Sequence, residues 1–456
     1  MLRYRIATFL CSFLVIAPVL AELEVVIQWN SVNKSLGITA RETTLLRVLG
    51  EIRHQTKWEV VLEPNLNPAV SMKTNPKPAS EALRLLLGNL RYTLKTQPGR
   101  PSRLSVFRNS VDAATNPVAE APSKPKRLEG QIVVVVRSEI EAMRLAKQFN
   151  ADLIGFIKGA NAARFRFDSE QELQRIRDAL AKADGVEFVD DIFAYPRPAG
   201  PMIAQAAALP VSVNPVNIDT KGMLIIGLID SAVQVKAMDK PNFILESKSV
   251  EGTYDAGIES PTHGTSMASI ILRGLSNKDL GVENSTVRIL PVDIYGPNSE
   301  TTSFNVAQGI TMAVEGGAKI VNLSLGCATP SALVRKVIQV HHNSGVLFIG
   351  AAGNAPVTSN EYPAAYPEVM AITAIRPDGK LADYANRGNF VDAAERGTQP
   401  VRFNNRTYST TGTSSSTAYI SGMAAALATK HGKIPHEIRE LIIKNRPFLP
   451  PKKEEK

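Results

Sequence analysis

Between residues 222 and 430, short apolar runs alternate with stretches of helical period, and this alternation limits the fold more than any other feature of the chain. The runs at 224–229, 288–293, 320–323, 346–349 and 369–373 read as strands, and 263–273, 303–315, 331–343 and 414–429 read as helices. Strands alternating with helices predict an α/β unit, a parallel sheet covered by helices on both faces. Sites in such sheets form at the C-terminal strand ends. Asp230 ends the first strand, where that argument wants a functional carboxylate.

Three peptides carry chemistry in this region: GLIDSAV around Asp230, PTHGTSMAS around His263 and TGTSSSTAYISG around Ser414. A serine hydroxyl is a poor nucleophile near neutral pH. It needs an imidazole to take its proton and a carboxylate to fix the imidazole's tautomer. Asp230 follows LIIGLI and is expected to be partly buried, so it should accept hydrogen bonds, one of them from an imidazole. Taken alone it would be a strand-ending turn residue. His263 is expected at a helix start with Thr262 as cap, and Gly264 permits close approach. The other histidines, His54, His341, His342, His431 and His436, read as surface or satisfied core residues. Ser414 opens a helical run, which aims free backbone N–H groups at developing negative charge. By chemistry alone Ser415 and Ser416 are rivals to it. GAAGNA places Asn354 after the 346–349 strand, with an amide able to donate to an oxyanion.

The order Asp, His, Ser and all of these peptides resemble the subtilase family of serine proteases. The resemblance implies a subtilisin-like fold, with Ser414 as nucleophile, His263 as general acid and base, Asp230 as its orienting group and Asn354 as oxyanion donor. It selects Ser414 over Ser415 and Ser416, because only Ser414 follows Gly-Thr in the family register. It also implies that Ser324, Leu325 and Gly326, in VNLSLGC, line the substrate cleft. Cys327 adjoins them, as a buried apolar residue or as a thiol near the pocket. YPAAYPEVMAITA adds to the likeness. The chain departs from the family at Ala232, where Gly is usual, at Ser266, where a second His is common, and at Ala418, where most members have Pro. No cofactor and no metal site is expected; relatives often bind calcium, but no acidic loop here matches a calcium loop.

The remainder divides into segments. Residues 1–21 carry a positive start, an apolar stretch and Val19 and Ala21, the pattern of a cleaved secretory signal, with an uncleaved anchor as the alternative. Cys11 lacks a lipoprotein context, and removal of the signal would leave Cys327 without a disulfide partner. Residues 22–110 predict a small α+β module, with helices near 45–52 and 80–90 and strands at 58–62, 70–72, 92–95 and 104–107. ITARETTLLRVLGEI and PASEALRLLLGNLRY resemble the short N-terminal domain of secretins and TonB-dependent receptors, which implies docking to envelope proteins; a generic α+β domain is the other reading. Residues 111–127 form a linker. Residues 128–197 predict a second α+β unit: strand 131–136, helix 138–150, strands 153–157 and 163–167, helix 169–182 and strand 186–192. That order, ending in GVEFVDDIFAYPRP, resembles a subtilase propeptide, which implies inhibition by strand addition to the cleft. A spacer is the simpler alternative. A second linker spans 198–221, the catalytic domain 222–432, and a C-terminal tail 433–456.

Composition fits a multidomain globular protein: 456 residues, 44% hydrophobic, 21% charged. The net charge of +9 is mild and has no basic block interleaved with aromatics, so nucleic acid is not an expected partner. The reading is therefore a periplasmic or secreted, self-inhibited serine endopeptidase acting on protein or peptide substrates and bound by its own 128–197 unit. No stable membrane span is expected. The rival from another class is an inactive envelope scaffold; a third reading is an esterase with the same machinery.

Overall fold

The structure is a computed structural model, and it describes residues 25–445 apart from 64, 65, 67, 98, 99, 112–115, 119–125, 204–210, 217, 218, 220 and 221. The signal-like stretch 1–21 lies outside the described residues. The chain forms two compact units, Met1–Asn116 and Pro117–Lys456.

The first unit is α+β, as its pattern predicts. Strands Val25–Asn30, Ser35–Thr44 and Ala69–Pro78 form an antiparallel sheet. Helix Leu45–Thr56 buries Leu45, Val48, Leu49 and Ile52, the residues whose helical spacing marks it in the sequence. Helix Ala79–Leu87 does the same with Ala82, Leu83, Leu86 and Leu87. A second sheet orders Arg91–Gln97, Arg100–Phe107, Glu59–Leu62 and the short Asn116–Pro117.

In the second unit, residues 127–196 build a sheet flanked by two helices, Glu139–Gln148 and Glu170–Ala181, capped by Ser138 and Ser169. Strand Arg127–Val136 pairs antiparallel with Ala162–Arg166 and Val186–Pro196. Its valine run is buried on both faces, and period-two alternation sorts the side chains. Ile132, Val134 and Val136 pack under the unit's own helices with Leu145, Phe165 and Leu180. Val133 and Val135 point the other way, into a core shared with Phe304, Ile310, Val334 and Val337 of the larger domain. The unit is thus half of a joint core.

The larger domain holds a seven-stranded sheet in the order Lys248–Ser249, Arg288–Asp293, Ile225–Asp230, Ala318–Leu323, Leu347–Ala351, Val369–Ile375, Ala393–Arg396. Every pairing in it is parallel. The strands are buried on both faces: Ile226, Leu228, Ile320 and Leu347 face helices His263–Leu275 and Thr413–His431. Ile229, Val321 and Phe348 face helices Ser303–Glu315 and Ala332–Asn343. This is the α/β architecture that the alternation predicts. The first pair of helices touches through glycines. A Cβ on Gly422 would lie 1.9 Å from Ile271 O, and one on Gly274 2.0 Å from Tyr419 O.

Several features differ from the sequence reading, among them strands Val25–Asn30 and Ser35–Thr44, which it does not predict. The segment read as a tail from 433 carries helix Pro435–Asn445, whose Ile438 and Ile442 join the same core as Met370 and Leu347. Its apolar spacing is short and the preceding Gly432 has the left-handed φ that ends one helix before another starts. An antiparallel hairpin, Thr398–Phe403 with Arg406–Thr411, was not foreseen. Its turn residues Asn404 and Asn405 have φ of 47° and 59°, values that asparagine tolerates in tight hairpins.

Gly422→Ala places a methyl group against a helix backbone that cannot yield. It is expected to cost about 1–3 kcal/mol or more, read as a lower melting temperature by calorimetry in a Ser414→Ala background. An unchanged melting temperature would mean that the two helices separate freely.

Candidate active site

Asp230 and Ser324 stand at the C-terminal ends of adjacent strands, where Ile229 pairs with Leu323. Asp230 is 2% exposed and His263 5%. His263 Nδ1 lies 2.9 Å from both carboxylate oxygens of Asp230. Ser231 completes the site: its N–H donates to Asp230 Oδ1 at 2.7 Å, and its hydroxyl accepts from Gly264 N at 3.0 Å. Gly264 is obligatory here, because a Cβ on it would fall 2.0 Å from Ser231 O. Thr262 caps the His263 helix by accepting from Thr265 N at 3.0 Å, as the sequence predicts, and it donates to Ala232 O at 2.6 Å. Ala232 does not have a positive φ, so the usual glycine is not needed at that position. Ser266 is buried and donates to Thr262 O.

Burial separates the three candidate serines. Ser415 and Ser416 are fully buried, with hydroxyls directed to Thr410 Oγ1 and Glu395 O. Ser414 is half-buried in the first turn of helix Thr413–His431. It donates from Oγ to Ser324 O at 3.2 Å, while Ser324 Oγ donates to Ser414 O at 3.1 Å. Ala418 is buried within this helix, which runs unbroken where a proline is usual. Asn354 Oδ1 accepts from Thr413 N at 2.9 Å and Thr413 Oγ1 at 3.1 Å. That leaves the Asn354 amide nitrogen as the group that can donate beside Ser414. The structure therefore forms two clusters, Asp230 with His263, and Ser414 with Ser324 and Asn354. Among the described residues no hydrogen bond joins them.

Asn386, which the sequence reading missed, braces the Asn354 loop. Its Oδ1 accepts from Ala355 N at 2.9 Å and its amide donates to Ala352 O at 2.8 Å. Only its distance in sequence hid it. Leu325 and Cys327 are buried beside the cleft segment, and Cys327 exchanges backbone hydrogen bonds with Tyr362. Burial pushes the Cys327 thiol up from its ordinary value, which favours the buried apolar reading over that of an accessible thiol near the pocket. His342 and His436 stack edge to face away from these clusters. Among the described residues no group of three or more His, Cys, Asp or Glu is placed to hold a metal ion, so no calcium position is assigned. No helix among them is long and apolar enough to cross a membrane.

One further segment that the sequence reading overlooked, strand Glu300–Thr302, receives the end of the 128–197 unit. Ala194, Tyr195 and Pro196 pair antiparallel with Thr302, Thr301 and Glu300, and Arg197 N donates to Ser299 O at 2.8 Å. Tyr195 is fully buried among the residues of the joint core, and that burial holds its phenol well above the ordinary range. Beyond it, Met202 and Ile203 pair with Ser409 and Tyr408, just before Ser414. Between the two pairings a Cβ on Gly200 would lie 3.3 Å from Pro261 O, two residues before His263.

A model of the subtilase family matches residues 220–454. The chain belongs to the subtilase family. Among curated subtilases, the thermophilic serine proteinase of Bacillus sp. (strain AK1) is 31% identical over 222 residues, 48% of this chain and 55% of that protein. Thermostable alkaline protease of Halalkalibacterium halodurans is 29% identical over 41% of this chain and 53% of its own length. The chain thus spans little more than half the length of these relatives. Thermitase of Thermoactinomyces vulgaris is 28% identical over 48% of this chain and 78% of its own length. Two crystal structures share the subtilisin-like fold. Fervidolysin from Fervidobacterium pennivorans has a TM-score of 0.55 at 18% identity, covering 69% of this chain and 57% of that one. The epidermin leader peptide processing serine protease from Staphylococcus aureus has a TM-score of 0.53 at 14% identity, covering 71% and 93%. Both likenesses concern the fold.

Because Cys327 is 6% exposed, a Cys11→Ser chain is expected to release no thionitrobenzoate from a disulfide reagent at pH 8 until denaturant is added. Rapid stoichiometric reaction of the native protein would contradict the burial.

Proposed function

We propose that this subtilase hydrolyses peptide bonds through an acyl-enzyme formed on Ser414. The observation that carries the reading is the buried contact of His263 with both oxygens of Asp230, beside a half-buried serine in a helix's first turn. Asp230 fixes the Nδ1–H tautomer and stabilises the imidazolium. Nε2 of His263 then takes the Ser414 proton as Oγ attacks the carbonyl carbon. The oxyanion that forms is held by Ser414 N–H and the Asn354 amide. Collapse expels the amine with the proton from His263, and water completes the cycle by the same path. Ser324, Leu325 and Gly326 provide the backbone edge along which an extended peptide lies.

The 128–197 unit supports a second part of the proposal, that the enzyme is made as a zymogen. The antiparallel pairing of 194–196 with 300–302 supports this reading, because strand addition is how an extended peptide would occupy a cleft edge. A maturation cut is expected within the 198–221 linker or at the end of the 128–197 unit, and not before Pro196, since proline just after a scissile bond is usually resisted. The sequence of residues 1–21 supports export to the periplasm or beyond, and the α+β architecture of residues 25–107 is consistent with docking to an envelope protein. Protein or peptide chains are the proposed substrates.

Intact mass of the exported protein tests both parts, wild type beside Ser414→Ala. Fragments separating 128–197 from the larger domain, in wild type alone, are expected. A fluorophosphonate should label the wild type on Ser414, and its absence from the matured protein would favour a scaffold. Asn354→Ala should lower kcat by about 10²–10³ with the Ser414 label still formed slowly; an unchanged kcat would remove Asn354 from the oxyanion site.

A further inference from the structure

The segment paired with strand Glu300–Thr302 carries a side chain that the reaction does not use. Alternate residues of a strand point to opposite faces; Tyr195 is buried, Pro196 exposed and Arg197 half-buried. The Arg197 guanidinium carbon lies 5.4 Å from the centroid of the Tyr295 ring and 5.9 Å from that of Tyr254. Its Nη2 donates to Gly296 O. Tyr295 also donates from its hydroxyl to Pro196 O at 3.2 Å, so one ring both faces the guanidinium and holds the backbone before it. Asp293 is 5% exposed and accepts from Tyr295 N at 2.9 Å and Gly296 N at 3.0 Å, which fixes the turn presenting ring and carbonyl. Asp293 ends the strand beside that of Asp230, so this turn stands next to the proposed catalytic carboxylate. Tyr254 is 36% exposed and lies outside any helix or strand. Arg197 Nε is buried with no hydrogen-bond partner, so the two rings and the Gly296 carbonyl make the close contacts, with the Asp293 carboxylate adding attraction at longer range.

We infer that Tyr254, Tyr295 and Gly296 O form a recognition pocket for arginine, and that the cleft selects peptides with an arginine two residues after a large aromatic side chain. The pocket is drawn from the chain's own bound segment; its consequence for substrates rests on the peptidase reading above. A planar guanidinium stacks on aromatic rings and donates in its own plane, whereas an ammonium is a compact, strongly hydrated point charge. Arginine is therefore favoured over lysine as well as over neutral residues. Two such ring contacts correspond to a preference of about 5- to 30-fold.

The first test needs no activity. In the full Ser414→Ala chain, amide exchange at residues 194–203 should quicken about 5- to 30-fold in Tyr254→Ala and in Arg197→Ala, and less in Arg197→Lys. The strand Val369–Ile375 serves as the control for global unfolding. Unchanged exchange in Tyr254→Ala overturns the pocket. The second test compares matured wild-type protein on two peptides that differ only in arginine or norleucine two residues after tyrosine. The arginine peptide should have the higher kcat/KM by the same factor, and Tyr254→Ala should shrink that ratio. Equal cleavage of both peptides overturns the substrate preference. If neither is cleaved while exchange responds as expected, the peptidase reading fails and the pocket stands.

Discussion

The site depends on one constraint, the burial of a carboxylate at the end of a strand that has no exposed face. A carboxylate in that position must have its oxygens hydrogen-bonded, because burying an unpaired polar group costs several kcal/mol. Asp230 meets the requirement with the Ser231 backbone, the Ser231 hydroxyl and the His263 imidazole. Each partner then fixes something else. Ser231 reaches Gly264 and draws in the helix start that carries His263, and the close approach admits no side chain at residue 264. The helix so placed packs against helix Thr413–His431 through Gly274 and Gly422, and that helix presents Ser414. The orientation of the imidazole and the position of the serine thus trace back to satisfying one buried charge.

The 127–196 unit is tied to the larger domain by the same strand physics. Its central valines serve two cores in alternation, so only one face could be covered by the unit alone. Asp190 reinforces the joint, accepting from Ser331 Oγ at 2.7 Å and Leu333 N at 3.0 Å at the start of helix Ala332–Asn343. A carboxylate at a helix N-terminus complements its unpaired N–H groups and its dipole. Burial nevertheless pushes the Asp190 carboxyl up from its ordinary value.

Much of this was legible in the sequence because local patterns there have single meanings. LIIGLI is too apolar to be anything but buried, and Thr262 before His263 marks a helix start. Apolar spacing at Leu45, Val48, Leu49 and Ile52 marks another helix. What escaped was either short or non-local. Residues 299–302 are polar and too few for periodicity, yet they form the edge on which the 194–197 segment lies. Asn386 acts on a loop far from it in sequence, and Tyr254 meets Arg197 only through the fold. The choice of Ser414 over its two neighbours rested on family register alone until burial distinguished them.

The linker after the 128–197 unit also sets the kinetic order of whatever follows its severing. While the 198–221 linker is uncut, the contact of 194–197 with 299–302 is intramolecular, with an effective concentration in the millimolar range for a short tether. Once the chain is cut, the same contact becomes a bimolecular equilibrium and weakens with dilution. Under the proposed zymogen reading, the paired strand would then act as a dissociable ligand, and the fraction of free protein would rise with dilution.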